Sequence, residues 1–216
     1  MIRSLARLVL GLGLSAAVLS GFSMAQAQTT GTTAPSADAA AAPADAVSMG
    51  VPDGMPDQAH AEVGKVYLAA TFDAWEQRCV KTADGADPCQ LYQLMKDSTG
   101  NPVSEISFFT LPDGSPAAVG ATILAPLETL LTANLRIAID TAVAKLYPFS
   151  YCTVNGCVAK VGFTADEIAT MKKGTNAVLT VVPAAAPDKV VTVTMSLKGF
   201  TAGYQAIVDA AAKAKK

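Results

Sequence analysis

The chain has 216 residues, with 16 Lys and Arg against 18 Asp and Glu and a formal net charge of −2. No basic run precedes the tail residues Lys213, Lys215 and Lys216, which disfavours a phosphate-backbone partner, and no nucleic acid is expected. Hydrophobic residues make up 51% of the chain, but alanine and the first 27 residues account for the excess, leaving no second apolar segment long enough to span a membrane.

Residues 1–27 read as a secretory signal peptide. Arg3 and Arg7 give a basic start, an apolar run follows, and Ala25-Gln26-Ala27 supplies the small-x-small pattern cut by signal peptidase. A membrane anchor is the competing reading, but the run is short and glycine-rich for a span of ~20 residues. Cleavage would leave a mature start at Gln28 and reduce the basic count from 16 to 14 against 18 acids. Residues 28–62, rich in Ala, Thr, Pro, Gly and Asp and without an aromatic, read as a disordered linker that buries too little to offset its ordering entropy. The one histidine, His60, lies there.

Residues 63–209 are expected to fold as one domain. "VYLAATFDAWEQRCV" reads as a strand with Trp75 and Cys79 on one face. "CQLYQLMK" alternates, with Leu91, Gln93 and Met95 opposite Tyr92 and Leu94. "VSEISFFTL" runs into the turn Pro112-Asp113-Gly114, and "AAVGATIL" is a short strand. "TLLTANL" fits either a turn or a short helix. "LRIAID" points Ile137 and Ile139 inward, and "FSYCTV" and "GCVAKVGF" flank Asn155-Gly156, the composition of a hairpin tip. "TADEIATMKKG" is a helix with Thr164 as N-cap, Glu167 closing a capping box, Lys172 and Lys173 in the last turn, and Gly174 as the stop. "NAVLTVVP" and "KVVTVTMSL" are further strands. A second helix begins at Thr201, with Tyr204, Ile207, Val208 and Ala211 as its apolar stripe, and residues 210–216 form a frayed basic tail. Short strands separated by turns, with two helices, predict a mainly β, single-domain β-sandwich.

The four cysteines, Cys79, Cys89, Cys152 and Cys157, carry the chemical question. Zinc ligands cluster more tightly than Cys152-x4-Cys157 or Cys79-x9-Cys89, so no metal is expected. A redox pair is usually Cys-x-x-Cys at a helix start, and this pair sits in a predicted hairpin. Nucleophilic catalysis needs a positioned imidazole, and none is expected; no cofactor loop is present either. The acids Asp73, Glu76, Asp140, Asp166 and Glu167 read as solvated faces or helix N-termini. Export favours disulfides. If the bonds are local, a four-residue loop from Thr153 to Gly156 sets Cys152 opposite Cys157, and the polar turn between Cys79 and Cys89 does the same for those two. Crossed pairings stay open, since four cysteines allow three connectivities.

Trp75 four residues before Cys79, Cys89-Gln90, the Pro112-Asp113-Gly114 turn, "LRIAID" ending at Asp140, "CTVNGCVA" and "SLKGFTAGY" with Gly199 and Phe200 occur in an order that resembles the invasion-associated locus B family of exported alphaproteobacterial proteins. The resemblance spans about Phe72 to Ile207. It departs at "TAN", where the family often has glycine, although Asn134 also tolerates positive φ. The resemblance implies a small exported envelope protein, in the periplasm or on the outer cell surface, from a family named for host-cell invasion. It implies no enzymatic activity and no catalytic residue. Trp75, Asp140, Gly199 and Phe200 then read as structural landmarks, with Trp75 packed on a disulfide and Phe200 plugging the core. The leading expectation is a non-enzymatic protein that binds another envelope protein or a host component. The alternatives are a small-ligand carrier with a pocket between sheet and helix, and a thiol-disulfide redox protein.

Overall fold

The structure is a computed structural model that describes residues 54–215. The expected signal peptide, the cleavage point and most of the linker lie outside the described residues. Among the described residues no helix is long and apolar enough to cross a membrane.

Among the described residues eleven strands and two α-helices follow in order. The first five strands are β1 (Val66–Phe72), β2 (Trp75–Val80), β3 (Cys89–Lys96), β4 (Pro102–Phe109) and β5 (Val119–Ala125). A 3-10 turn at Leu131–Ala133, which settles "TLLTANL", leads to β6 (Leu135–Ile139), β7 (Lys145–Tyr147), β8 (Phe149–Thr153) and β9 (Gly156–Phe163). Helix α1 (Ala165–Lys173), strands β10 (Asn176–Val181) and β11 (Val191–Ser196), and helix α2 (Phe200–Ala214) complete the order.

The strands form two antiparallel sheets. The large one has the order β1-β2-β3-β4-β5-β9-β8, and the small one β11-β10-β6-β7. Each is built by alternation: in β2 of the large sheet, Trp75, Gln77 and Cys79 are buried while Val80 is exposed, and in β6 of the small one Leu135, Ile137 and Ile139 are buried while Arg136 is exposed. The small sheet covers the inner face of the large one, β11 over β3 and β7 over β9, while α2 covers β1, β2 and β3. The mainly β sandwich is thus present, with its core between the layers. Pro148 sits between β7 of one sheet and β8 of the other; having no N–H, it suits a point where one ladder ends and another begins.

Several elements differ from the sequence reading. The run from Val66 to Val80 is a hairpin, not one strand, turning at Asp73 with φ 52°. Asp is one of the few residues with a side chain that tolerates this conformation, and no Gly or Pro marks the turn. The three-residue β7 carries too short a pattern to read. Helix α2 continues to Ala214, through most of the expected frayed tail. Its inward face is Phe200, Gly203 and Ile207, while Tyr204 and Val208 are half-buried. At the other end, Leu68 N–H donates to the Pro56 carbonyl and Gln58 Nε2 to Asp87, so these residues of the expected linker dock onto the fold.

Candidate functional site

The sequence landmarks sit at structural joints. Trp75 is fully buried; its Nε1–H donates to the Ser196 carbonyl at 2.9 Å, and its ring meets Phe108 and Phe200 at centroid distances of 5.7 and 5.4 Å. Those aromatics, not a disulfide, are its neighbours, because four residues along a strand put Cys79 about 13 Å away. Phe200 is fully buried and also packs on Phe108, as a plug at the start of α2. Gly199 precedes it with φ 85°, and a Cβ there would stand 2.0 Å from the Phe72 carbonyl oxygen, so both conformation and space require glycine. Asp140 directly follows β6 with φ 47°; its Oδ1 accepts from Thr175 N–H at 3.1 Å and Asn176 N–H at 3.0 Å, fastening the start of β10.

Both disulfides are local. Cys79 pairs with Cys89 across β2 and β3, with Cα atoms 4.0 Å apart, and Cys152 with Cys157 across β8 and β9 at 3.9 Å. In the second hairpin Thr153 and Gly156 still pair, so Val154 and Asn155 alone form the tip. No cysteine is free. Among the described residues no group of three or more His, Cys, Asp or Glu is arranged to hold a metal ion. His60 pairs with Asp57 at 2.7 Å on the surface.

Two surface features stand out. The first is a cleft of about 360 Å³ between the C-terminal half of α2 and the β1–β3 end of the large sheet. The Cys79–Cys89 disulfide, Ala69 and Gln77 line its sheet side, and Ala206, Asp209, Ala210 and Lys213 its helix side. At one end, Asp87 accepts from Tyr67 O–H at 2.7 Å, Thr82 N–H at 2.7 Å, Thr82 Oγ1–H at 2.8 Å and Gln58 Nε2–H at 3.2 Å. These bonds, from Tyr67 first and Thr82 next, hold its carboxyl well below the usual carboxylate range. Burial, together with the bond to Asp87, pushes the Tyr67 phenol up to about 12.

The second feature is the outer face of the large sheet, which neither α2 nor the small sheet covers. Val66, Val80, Leu94 and Tyr151 are 41, 36, 41 and 49% exposed there. Between them Tyr92 lies under the Arg78 guanidinium, 3.3 Å from the ring centroid, and donates to Glu105 at 2.8 Å. Shallow apolar depressions of about 230 and 130 Å³ flank this cluster, one lined by Val66, Val80 and Phe109, the other by Leu94, Val103 and Leu124.

Sequence reasoning missed Asp87, Gln77 and the Arg78–Tyr92–Glu105 cluster. Only the alternation of β2, β3 and β4 hinted that Arg78, Tyr92 and Glu105 share a face. Elsewhere, burial alone would raise the Glu167 carboxyl, but Lys145 at 2.8 Å and the Thr164 bonds bring it below its ordinary value.

The family model described as invasion associated locus B (IalB) protein matches residues 75–208. Two invasion protein B homologs of Brucella abortus, from strain 2308 and from biovar 1 strain 9-941, are each 28% identical over 144 residues, covering 67% of this chain and 81% of theirs. Among solved structures, invasion associated protein b from Bartonella henselae is similar with a TM-score of 0.56 at 19% identity, covering 66% of this chain and 96% of that one, a likeness of fold.

Proposed function

This chain belongs to the invasion associated locus B family, and from that premise we propose that it is an exported, non-catalytic protein of the cell envelope that acts by binding another envelope protein or a host protein. The observation that carries this reading is the outer face of the large sheet, which neither α2 nor the small sheet covers, where Val66, Val80 and Leu94 stay exposed beside two apolar depressions and Tyr151 is exposed on β8. Exposed apolar patches rimmed by polar groups mark interaction surfaces. The two disulfides support an oxidising compartment, hence export.

The test is site-specific photocrosslinking in intact cells, with the crosslinker at Leu94 or Val80 and, as control, at Val143, which is 93% exposed away from this face. A discrete adduct from the sheet positions, absent from Val143 and weakened by Leu94→Glu, is expected. Identical patterns from all three positions would remove the outer face as the working surface.

A further inference from the structure

We propose that the cleft under α2 is a second, separate site, for a small organic cation: a primary alkylammonium group carried on a short aliphatic chain.

The cleft exists because α2 has two different faces toward the fold. One buries Phe200, Gly203 and Ile207, whereas the other presents Ala206, Ala210 and Ala214 to the cleft, at intervals of four that keep them on one face. Methyl groups leave open on that face what larger side chains would fill. Across from them are Ala69 and the Cys79–Cys89 disulfide, so the walls suit an aliphatic chain. The volume of about 360 Å³ falls in the range of small-molecule sites.

The polar groups decide the charge of the occupant. Gln77 is only 9% exposed, and its Nε2–H donates to the Ala206 carbonyl at 3.3 Å. That bond fixes the amide, because a carbonyl can only accept. Among the described residues Gln77 Oε1 has no hydrogen-bond partner, yet no fully enclosed side-chain atom is left unpaired, so this oxygen opens onto the cleft that Gln77 lines. An acceptor that faces the cleft and takes no donor from the protein offers its lone pairs to a donor on the occupant. Asp209 keeps one carboxylate oxygen for the same purpose, since Gln205 donates only to Oδ1. Asp87 is already saturated and adds its negative field, not a free lone pair. The last carbonyls of α2 form the negative end of the helix and favour a cation. Lys213 is the one cation of the lining; it stands exposed, one turn after Asp209. Two carboxylates, a helix C-terminus and a free amide oxygen against one lysine select a positively charged donor. The site stands independently of the outer-face reading.

The experiment is titration of the oxidised protein with 1,5-diaminopentane, beside its neutral counterpart 1,5-pentanediol, followed by NMR of the Gln77 side-chain amide. Nα-acetyllysine methylamide, run in parallel, distinguishes a free amine from a protein side chain as the source of the cation. The diamine or the lysine derivative should bind at least tenfold more tightly than the diol and shift the Gln77 amide. Ala210→Leu, which fills the cleft, should abolish that shift while leaving the Tm unchanged or raised. If that variant does not fold, Asp209→Asn at the exposed rim should weaken binding severalfold. Equal binding of amine and diol, no binding up to millimolar concentration, or binding unchanged in the folded variants would overturn the proposal.

Discussion

Four donors converge on the Asp87 carboxylate, and none of them comes from a charged group. The loop between Cys79 and Cys89 is therefore fastened to β1 through Tyr67, and to Gln58 ahead of it, by the ionised form of one acid. Because its folded pKa lies below its unfolded value, the stabilisation is complete above the unfolded pKa, near 4, and is lost as pH falls through the folded value. Asp87→Asn should lower the Tm at neutral pH. The gap between wild type and variant should then narrow as the pH drops below about 4. Thermal melts across the acid range measure this; a gap independent of pH would show that the amide's shape, not the lost charge, is responsible.

At the scale of elements, α1 follows its sequence signals closely. Thr164 Oγ1 accepts from Glu167 N–H at 3.3 Å, and Glu167 Oε2 accepts from Thr164 N–H at 2.8 Å, the reciprocal pair of a capping box. Ile168 and Met171 are buried against the core as their spacing requires. Thr164→Ala should cost about 1 kcal/mol in chemical denaturation, with the fold retained. Glu167→Ala should cost more, since Glu167 also holds Lys145 and the Tyr147 phenol of β7. The hairpin turn at Asp73 escaped the same reading because a lone Asp, with no Gly, Pro or Asn beside it, is too weak a signal to break an otherwise strand-like run.

Across the whole molecule the two sheets are joined by a polar contact as well as by the core. The buried Gln93 of β3 donates Nε2–H to the Ser196 carbonyl at 2.9 Å and accepts Ser196 N–H on Oε1 at 2.8 Å. Its side-chain amide pairs with the end of β11 much as a neighbouring strand would, and Trp75 adds a second bond to the same carbonyl. Gln93→Leu removes both bonds and orphans the Ser196 N–H, which should cost about 1–3 kcal/mol in chemical denaturation. A loss under about 0.5 kcal/mol would mean that apolar packing alone holds the layers together.

By itself the sequence determined what depends on near neighbours: the β-rich class, the caps of α1 and most strand positions; the choice of local over crossed disulfides came from the structure. Alternation, capping and turn chemistry act over a few residues, so they are written in short stretches. The landmarks Trp75, Gly199 and Phe200 were visible too, though not what each one touches. Only the tertiary structure brought Gln93 to Ser196, 103 residues away, and Gln77 to Ala206, 129 residues away. The same holds for the cleft and the uncovered sheet face. Both arise where one layer stops covering another, and layer packing depends on side-chain volumes meeting across the fold, which no local pattern encodes.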